Sequence, residues 1–161
     1  MAAQNPSFTL ATICNTYTFG PLPRSLDSLD RINTSNKRLL DMVTGGMRHG
    51  VHPTAPVFTF VDARDVALAH VRAMTVPEAA GKRFYVVGGF FSNPRLVEIV
   101  RDKFPRLEKE GKLPPREQVV DDFPEGHWRF DNRRSMEILG LQYTGLEKCV
   151  ADAVESILAR V

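Results

Sequence analysis

The sequence predicts an α/β fold with a few parallel strands and about five helices. Three observations predict it. Val57-Phe58-Thr59-Phe60-Val61 reads as a short apolar strand, and Asp62-Ala63-Arg64-Asp65-Val66-Ala67-Leu68-Ala69-His70 opens a helix directly after it. A buried strand feeding a capped helix is the repeating unit of doubly wound proteins. Phe8 to Ile13 and Arg83 to Val87 are further β-rich runs, and the stretches between the three carry helical rather than alternating apolar spacing.

Each element follows from local chemistry. Phe8 to Ile13 alternates and predicts the first strand. Gly20-Pro21-Leu22-Pro23 is a turn, and Pro21 to Asp30 a surface loop. Thr34 or Ser35 can cap a helix reaching about Thr44, with Leu39, Leu40 and Val43 on one face and Gly45-Gly46 as its stop. Met47 to Pro56 is a Gly/His/Pro loop. In the helix after Val61, Asp62 can accept backbone N–H groups, while Asp65 favours the positive end of the dipole. Val66, Ala69, His70 and Ala73 give that helix a face of mostly small residues able to lie close to a sheet.

Downstream, Pro77 to Gly81 is a turn and Gly88-Gly89 breaks the Arg83 strand. Ser92 or Asn93 caps a helix with Pro94 at its first position, where a missing N–H costs no hydrogen bond. Leu96, Val97, Ile99, Val100 and Phe104 form its apolar side. Lys109 to Pro124 is Pro-rich and charged, and is expected to be exposed and mobile. Asp131 caps a short helix closed by Gly140, and Leu146 to Val161 makes the last helix, with Val150, Val154, Ile157 and Leu158 on one side.

Composition narrows the function classes. A chain of 161 residues, 43% hydrophobic and 25% charged, has the make-up of one soluble globular domain. The net charge of +2, with no interleaved basic and aromatic ladder, argues against a nucleic-acid partner. Cys14 and Cys149, far apart on apolar elements, read as reduced core residues of an intracellular protein. Neither a signal-peptide pattern nor a membrane-length apolar run occurs, so a cytoplasmic location without membrane partners is expected. His49 and His52 are too few to satisfy zinc, and no G-x-S-x-G elbow marks a hydrolase.

Phe60-Val61-Asp62-Ala63-Arg64-Asp65-Val66-Ala67-Leu68-Ala69-His70 resembles a signature in the C-terminal half of extended short-chain dehydrogenases/reductases. These belong to the NAD-dependent epimerase/dehydratase group, and the likeness is strongest to fungal methylglyoxal/ketoreductases and to dihydroflavonol and cinnamoyl-CoA reductases. Asn5 to Ile13, followed by Tyr17-Thr18-Phe19-Gly20-Pro21, resembles the family's sixth strand and its exit towards substrate. Phe130-Asp131-Asn132-Arg133-Arg134-Ser135, Leu139-Gly140, Tyr143 and Leu146-Glu147 resemble its closing elements. The resemblance implies an incomplete Rossmann-like fold, with residues 1–161 as one partial domain holding the substrate-side elements.

The family's Gly-rich turn and its Tyr-x-x-x-Lys do not occur: four residues beyond Tyr17, Tyr85 and Tyr143 stand Pro21, Gly89 and Glu147. Because two or three strands bury too little surface alone, a missing half or a partner chain is expected to cover an exposed sheet edge. The resemblance implies NADP or NAD as cofactor and a small carbonyl compound as substrate. It further implies no catalytic residue in this chain, which is expected to be inactive alone. A homodimer or a complementing N-terminal half is the expected partner, and secondary or detoxifying metabolism the expected setting.

By the same resemblance Asn15 and Thr16 fall beside the nicotinamide, although Cys14 holds the usual Asn position and Asn15 the usual Pro; both read equally as plain strand-end residues. Ser35 matches a serine contacting the dinucleotide phosphates, and reads otherwise as a helix cap. Tyr17, Phe19 and Phe90 are candidates for the substrate side, with simple packing as the alternative. Arg64 and Asp65 are expected to be architectural, and His70 a hydrogen-bonded core histidine. The alternative to a reductase half is a non-catalytic remnant serving as a ligand-binding or dimerising module.

Overall fold

The computed structural model describes residues 7–161. Its first strand, β1 (Thr12–Asn15), runs parallel to β4 (Arg83–Val86), with Thr12 opposite Arg83 and Asn15 opposite Val86. One residue later the chain enters β2 (Tyr17–Phe19), which pairs in parallel with β3 (Thr59–Asp62) instead. The short β5 (Gly89–Phe90) adds to β3 antiparallel, Phe90 opposite Thr59. The strands thus form a pair, β1-β4, and a triplet, β2-β3-β5.

Parallel neighbours require crossovers. Helix α1 (Thr34–Thr44) connects β2 to β3, and α2 (Ala63–Thr75) connects β3 to β4. Helices α3 (Asn93–Lys103), α4 (Pro105–Lys109), α5 (Arg133–Leu139) and α6 (Leu146–Leu158) follow. The α/β class and the parallel strands agree with the sequence reading; there are six α-helices among the described residues, one more than expected, because Pro105 starts a new turn right after α3.

Boundaries differ where a partner, not local pattern, sets them. The strand expected over Phe8 to Ile13 begins only at Thr12 and runs to Asn15, since the β4 ladder starts there. Leu10 O accepts the Gly81 N–H at 2.9 Å and Thr12 N–H donates to Lys82 O at 2.9 Å, while Phe8 and Leu10 project into solvent. Asn5 and Pro6 lie outside the described residues. The strand expected over Val57 to Val61 is displaced to Thr59–Asp62 for the same reason.

Asn33, not Thr34 or Ser35, is the N-cap of α1, and its amide donates to Thr18 O at 2.9 Å instead of capping. Ser92 caps α3 through an Oγ that accepts the Arg95 N–H at 3.2 Å, which puts Pro94 second in the helix. Asp131 accepts the Arg133 N–H at 3.0 Å from just outside α5, whose N-cap is Asn132. The segment after Lys109 is anchored more firmly than expected: Leu113 is buried, and buried Arg101 donates to Pro114 O at 2.6 Å.

Apolar faces gather into two cores. Leu39, Met42 and Val43 of α1, Leu96, Val97 and Val100 of α3, and Val150, Val154 and Ile157 of α6 enclose Phe19 of β2. Ala69 of α2, Phe84 and Val86 of β4, and Leu139 at the end of α5 make the second, with Ile13 of β1 at its margin. His70 corrects the expectation of a core histidine: it is exposed, its Nδ1 2.8 Å from the Val66 carbonyl of its own helix. Buried Ala69 marks the true contact face.

Candidate functional site

Ligands in open α/β sheets sit beyond the carboxyl ends of parallel strands. The carboxyl end of β1 leads straight into the start of β2, and this junction brings together Asn15 of β1, Thr16 at the bend, Tyr17 of β2 and Ser35 in the first turn of α1. Thr18 is their meeting point. Its N–H donates to Ser35 Oγ at 3.1 Å, and its hydroxyl accepts from Asn15 Nδ2 at 2.9 Å. Thr16 Oγ1 lies 2.8 Å from Thr59 O and 2.6 Å from Thr59 Oγ1, so this hydroxyl joins the two sheets.

The helix start has the chemistry of an anion cradle. The first intrahelical bond of α1 runs from Lys37 N–H to Asn33 O, leaving earlier N–H groups without helical acceptors. Ser35 is buried with its Oγ lone pair engaged by Thr18, yet its own hydroxyl hydrogen remains available to donate. Arg38, one turn on, stands over the Tyr17 ring at 5.0 Å and reaches Tyr17 OH at 3.3 Å. Unpaired N–H groups, a hydroxyl and a cation fit the phosphates of a dinucleotide. Sequence reading missed Arg38; its signal is the three-residue spacing from Ser35, which puts both on one side of α1.

Gly20 closes the floor beneath this end. Its φ of 139° and the approach of Ala63 Cβ to 3.2 Å of any added Cβ reserve the position for glycine. Buried Asn36 grips it from α1, donating to Gly20 O at 2.9 Å and accepting its N–H at 3.3 Å.

Phe19 and Phe90 have different settings. Phe19 is wholly buried and meets Phe91 edge to face at 5.0 Å, so it reaches a ligand only through Phe91 and Tyr17. Phe90 is partly buried, at the centre of an aromatic cluster: its ring lies 5.5 Å from Phe123, 4.7 Å from His127 and 5.0 Å from Phe130. A cleft of about 290 Å³ opens beside it, rimmed by Ser92, Arg95 and Asp121. The contribution of Phe123 and His127 had no sequence signal, because they come from a distant irregular segment.

Arg64 and Asp65 serve architecture. Asp62 is fully buried and accepts the Arg64 N–H at 2.8 Å, while its second oxygen takes Arg64 Nη2 at 2.6 Å. Burial works to raise the Asp62 carboxyl, but these Arg64 bonds outweigh it and hold it below the usual carboxylate range. Burial pushes Asp65 up, opposed by the Thr144 N–H it accepts at 2.8 Å. Cys149 lies next to Asp62; burial, then that carboxylate, pushes its thiol far up. His49 and His52 are exposed, and among the described residues no group of three His, Cys, Asp or Glu side chains could hold a metal. No helix there is long and apolar enough to cross a membrane.

No family model matches the chain. It is 45% identical over 153 residues to ketoreductase azaE of Aspergillus niger, a match covering 95% of this chain and 44% of that protein. The crystal structure of Gre2 from Candida albicans superposes with a TM-score of 0.79 at 31% identity, over 96% of this chain and 46% of that one. Yeast methylglyoxal/isovaleraldehyde reductase Gre2, solved with NADPH, gives 0.76 at 25% identity, over 98% and 45%. The chain therefore spans somewhat less than half the length of these relatives.

Proposed function

From the correspondence of this chain to the C-terminal half of extended short-chain dehydrogenase/reductase-type enzymes, we propose that it forms the substrate-side half of an NADPH-dependent ketone or aldehyde reductase. The observation that carries the reading is the convergence of Asn15, Thr16, Tyr17 and Ser35 at one strand end, next to unpaired helix N–H groups and Arg38.

When bound, the dinucleotide supplies the hydride. Asn15 and Thr16 flank its nicotinamide end, and the Ser35 hydroxyl with the α1 N–H groups binds phosphate. Tyr17, stacked under Arg38, and partly buried Phe90 face a small carbonyl compound, with Phe19 buttressing Tyr17 through Phe91. A general acid and a lysine to orient the ribose must come from the other half, since Tyr17, Tyr85 and Tyr143 each lack a lysine four residues on. Turnover by this chain alone is absent on that account. The setting is cytoplasmic detoxifying or secondary metabolism.

The test is NADPH oxidation with a panel of aldehydes and ketones, measured for the chain alone and with the N-terminal half of ketoreductase azaE co-expressed. Activity only in the mixture, reduced at least tenfold by Ser35→Ala or Asn15→Ala, is the expected result. Robust turnover by the chain alone, or a mixture that binds NADPH yet reduces no carbonyl, overturns the reading.

A further inference from the structure

Arg38 is a withdrawn cation with no anion beside it. Its Nη2 reaches Tyr17 OH at 3.3 Å and Thr54 O at 3.4 Å, and its Nη1 reaches Pro53 O at 3.3 Å. All three are neutral acceptors at the long limit of hydrogen bonding. Among the described residues its Nε–H has no acceptor and no carboxylate forms an ion pair with it. The other arginines without a carboxylate partner lie exposed, Arg160 excepted, so water meets their charge. Arg38 is partly buried, and long bonds to neutral groups return little of what removing a cation from water costs.

The seat of this cation is stiff. Asn93 Nδ2 donates to Pro53 O at 3.1 Å and to His52 O at 2.8 Å, and buried Thr54 gives both its N–H and its hydroxyl to Asp122. Those bonds fix the two carbonyls on which the guanidinium leans, while α1 fixes the root of its side chain. A group already held loses little freedom when it takes a ligand. The seat also adjoins the substrate side. Arg38 covers the Tyr17 ring at 5.0 Å, the Phe91 ring lies 5.9 Å from that of Tyr17, and Phe91 continues into the 290 Å³ cleft beside Phe90. Cation, phenol and apolar cleft follow one another in that order.

We propose that Arg38 selects carbonyl substrates that carry a carboxylate, pairing with that carboxylate while the cleft at Phe90 and Phe91 takes the apolar remainder. This rests on the reductase reading above, in which Tyr17 and Phe90 face the carbonyl compound. A carboxylate replaces long neutral bonds with short charge-assisted ones, for which the planar guanidinium is suited. A neutral analogue leaves the cation as poorly served as before, and that difference is the selectivity. Dinucleotide phosphates are the other anions in reach of this end of the sheet, and the Ser35 hydroxyl with the α1 N–H groups meets them without Arg38.

Calorimetric titration of the full chain compares benzoylformate and 3-benzoylpropionate with their methyl esters. At least one acid should bind about tenfold more tightly than its ester, and the margin should shrink as sodium chloride is added. Arg38→Met should erase the margin and Arg38→Lys keep part of it, with melting curves checking that each variant is folded. Should Arg38→Met fail to fold, Arg38→Gln, which can still donate to Pro53 O and Thr54 O, carries the same expectation. With the N-terminal half of ketoreductase azaE co-expressed, Arg38→Met should raise KM for the acid about tenfold more than for the ester. Acid and ester bound alike, neither bound, a margin that survives Arg38→Met, or a variant that loses affinity for NADPH instead overturns the proposal. A margin without carbonyl reduction in the mixture removes the reductase reading and leaves the acid-binding site; reduction of acid and ester with equal KM does the reverse.

Discussion

Asp122 holds Thr54 at two points, accepting its backbone N–H at 2.6 Å and its hydroxyl at 2.6 Å. The Thr54 hydroxyl in turn accepts the buried Asn93 N–H at 2.6 Å, so a single carboxylate ties the aromatic segment to the start of α3. Thr54→Val should cost about 2 kcal/mol, because it strands a buried N–H, and Asp122→Ala about 1 kcal/mol. Urea denaturation measures both. Trp128, the sole tryptophan, should become more accessible to acrylamide in Asp122→Ala.

Asp62 sets part of the acid stability. Its folded pKa is held below 3.8, so the stability it contributes is fully present above that value and is lost as pH falls through the lower, folded one. Asp65 is raised, so its contribution has the opposite sign: present below 3.8 and lost as pH rises through the folded value. Asp62→Asn should cost about 2 kcal/mol near neutrality, through the cap and the charge-assisted bonds. Melting curves from pH 5 to pH 2 should fall less steeply for the variant than for the parent.

The two thiols should differ in reactivity. Cys149 is buried with its thiol held protonated, whereas Cys14 of β1 is partly accessible. A disulfide reagent at pH 8 should label Cys14 in the folded chain and Cys149 only after denaturant is added, as read by peptide mass.

Arg101, 2% exposed, anchors the segment after α4 by donating to Pro114 O at 2.6 Å and to Glu98 at 2.7 Å. Arg101→Ala leaves that carbonyl unpaired and a void around it, and should cost about 3 kcal/mol. Proteolysis after Arg116 should accelerate in the variant if this anchor is what orders the segment.

What could be read from the sequence is local. Asp62 capping α2, Ser92 capping α3, Gly45 and Gly140 ending helices in left-handed backbone, and the Val150–Val154–Ile157 face of α6 each depend on residues within a few positions. The start of β1 was misjudged because Lys82 and Arg83, seventy residues away, decide where its ladder begins. The burial of Arg101 has no local signal, since its acceptor, Pro114 O, lies beyond the helix end. Likewise Phe90 was a candidate by position, while Phe123 and His127 beside it belong to a stretch with no periodicity to read.

Thr16 stands where the chain first passes from one sheet to the other, and its hydroxyl meets both oxygens of Thr59. Neither sheet has enough strands to be sturdy in isolation, so that hydroxyl works as a rivet between two thin plates. Without it, no side chain would fasten the turn between Asn15 and Tyr17 to the first residue of β3.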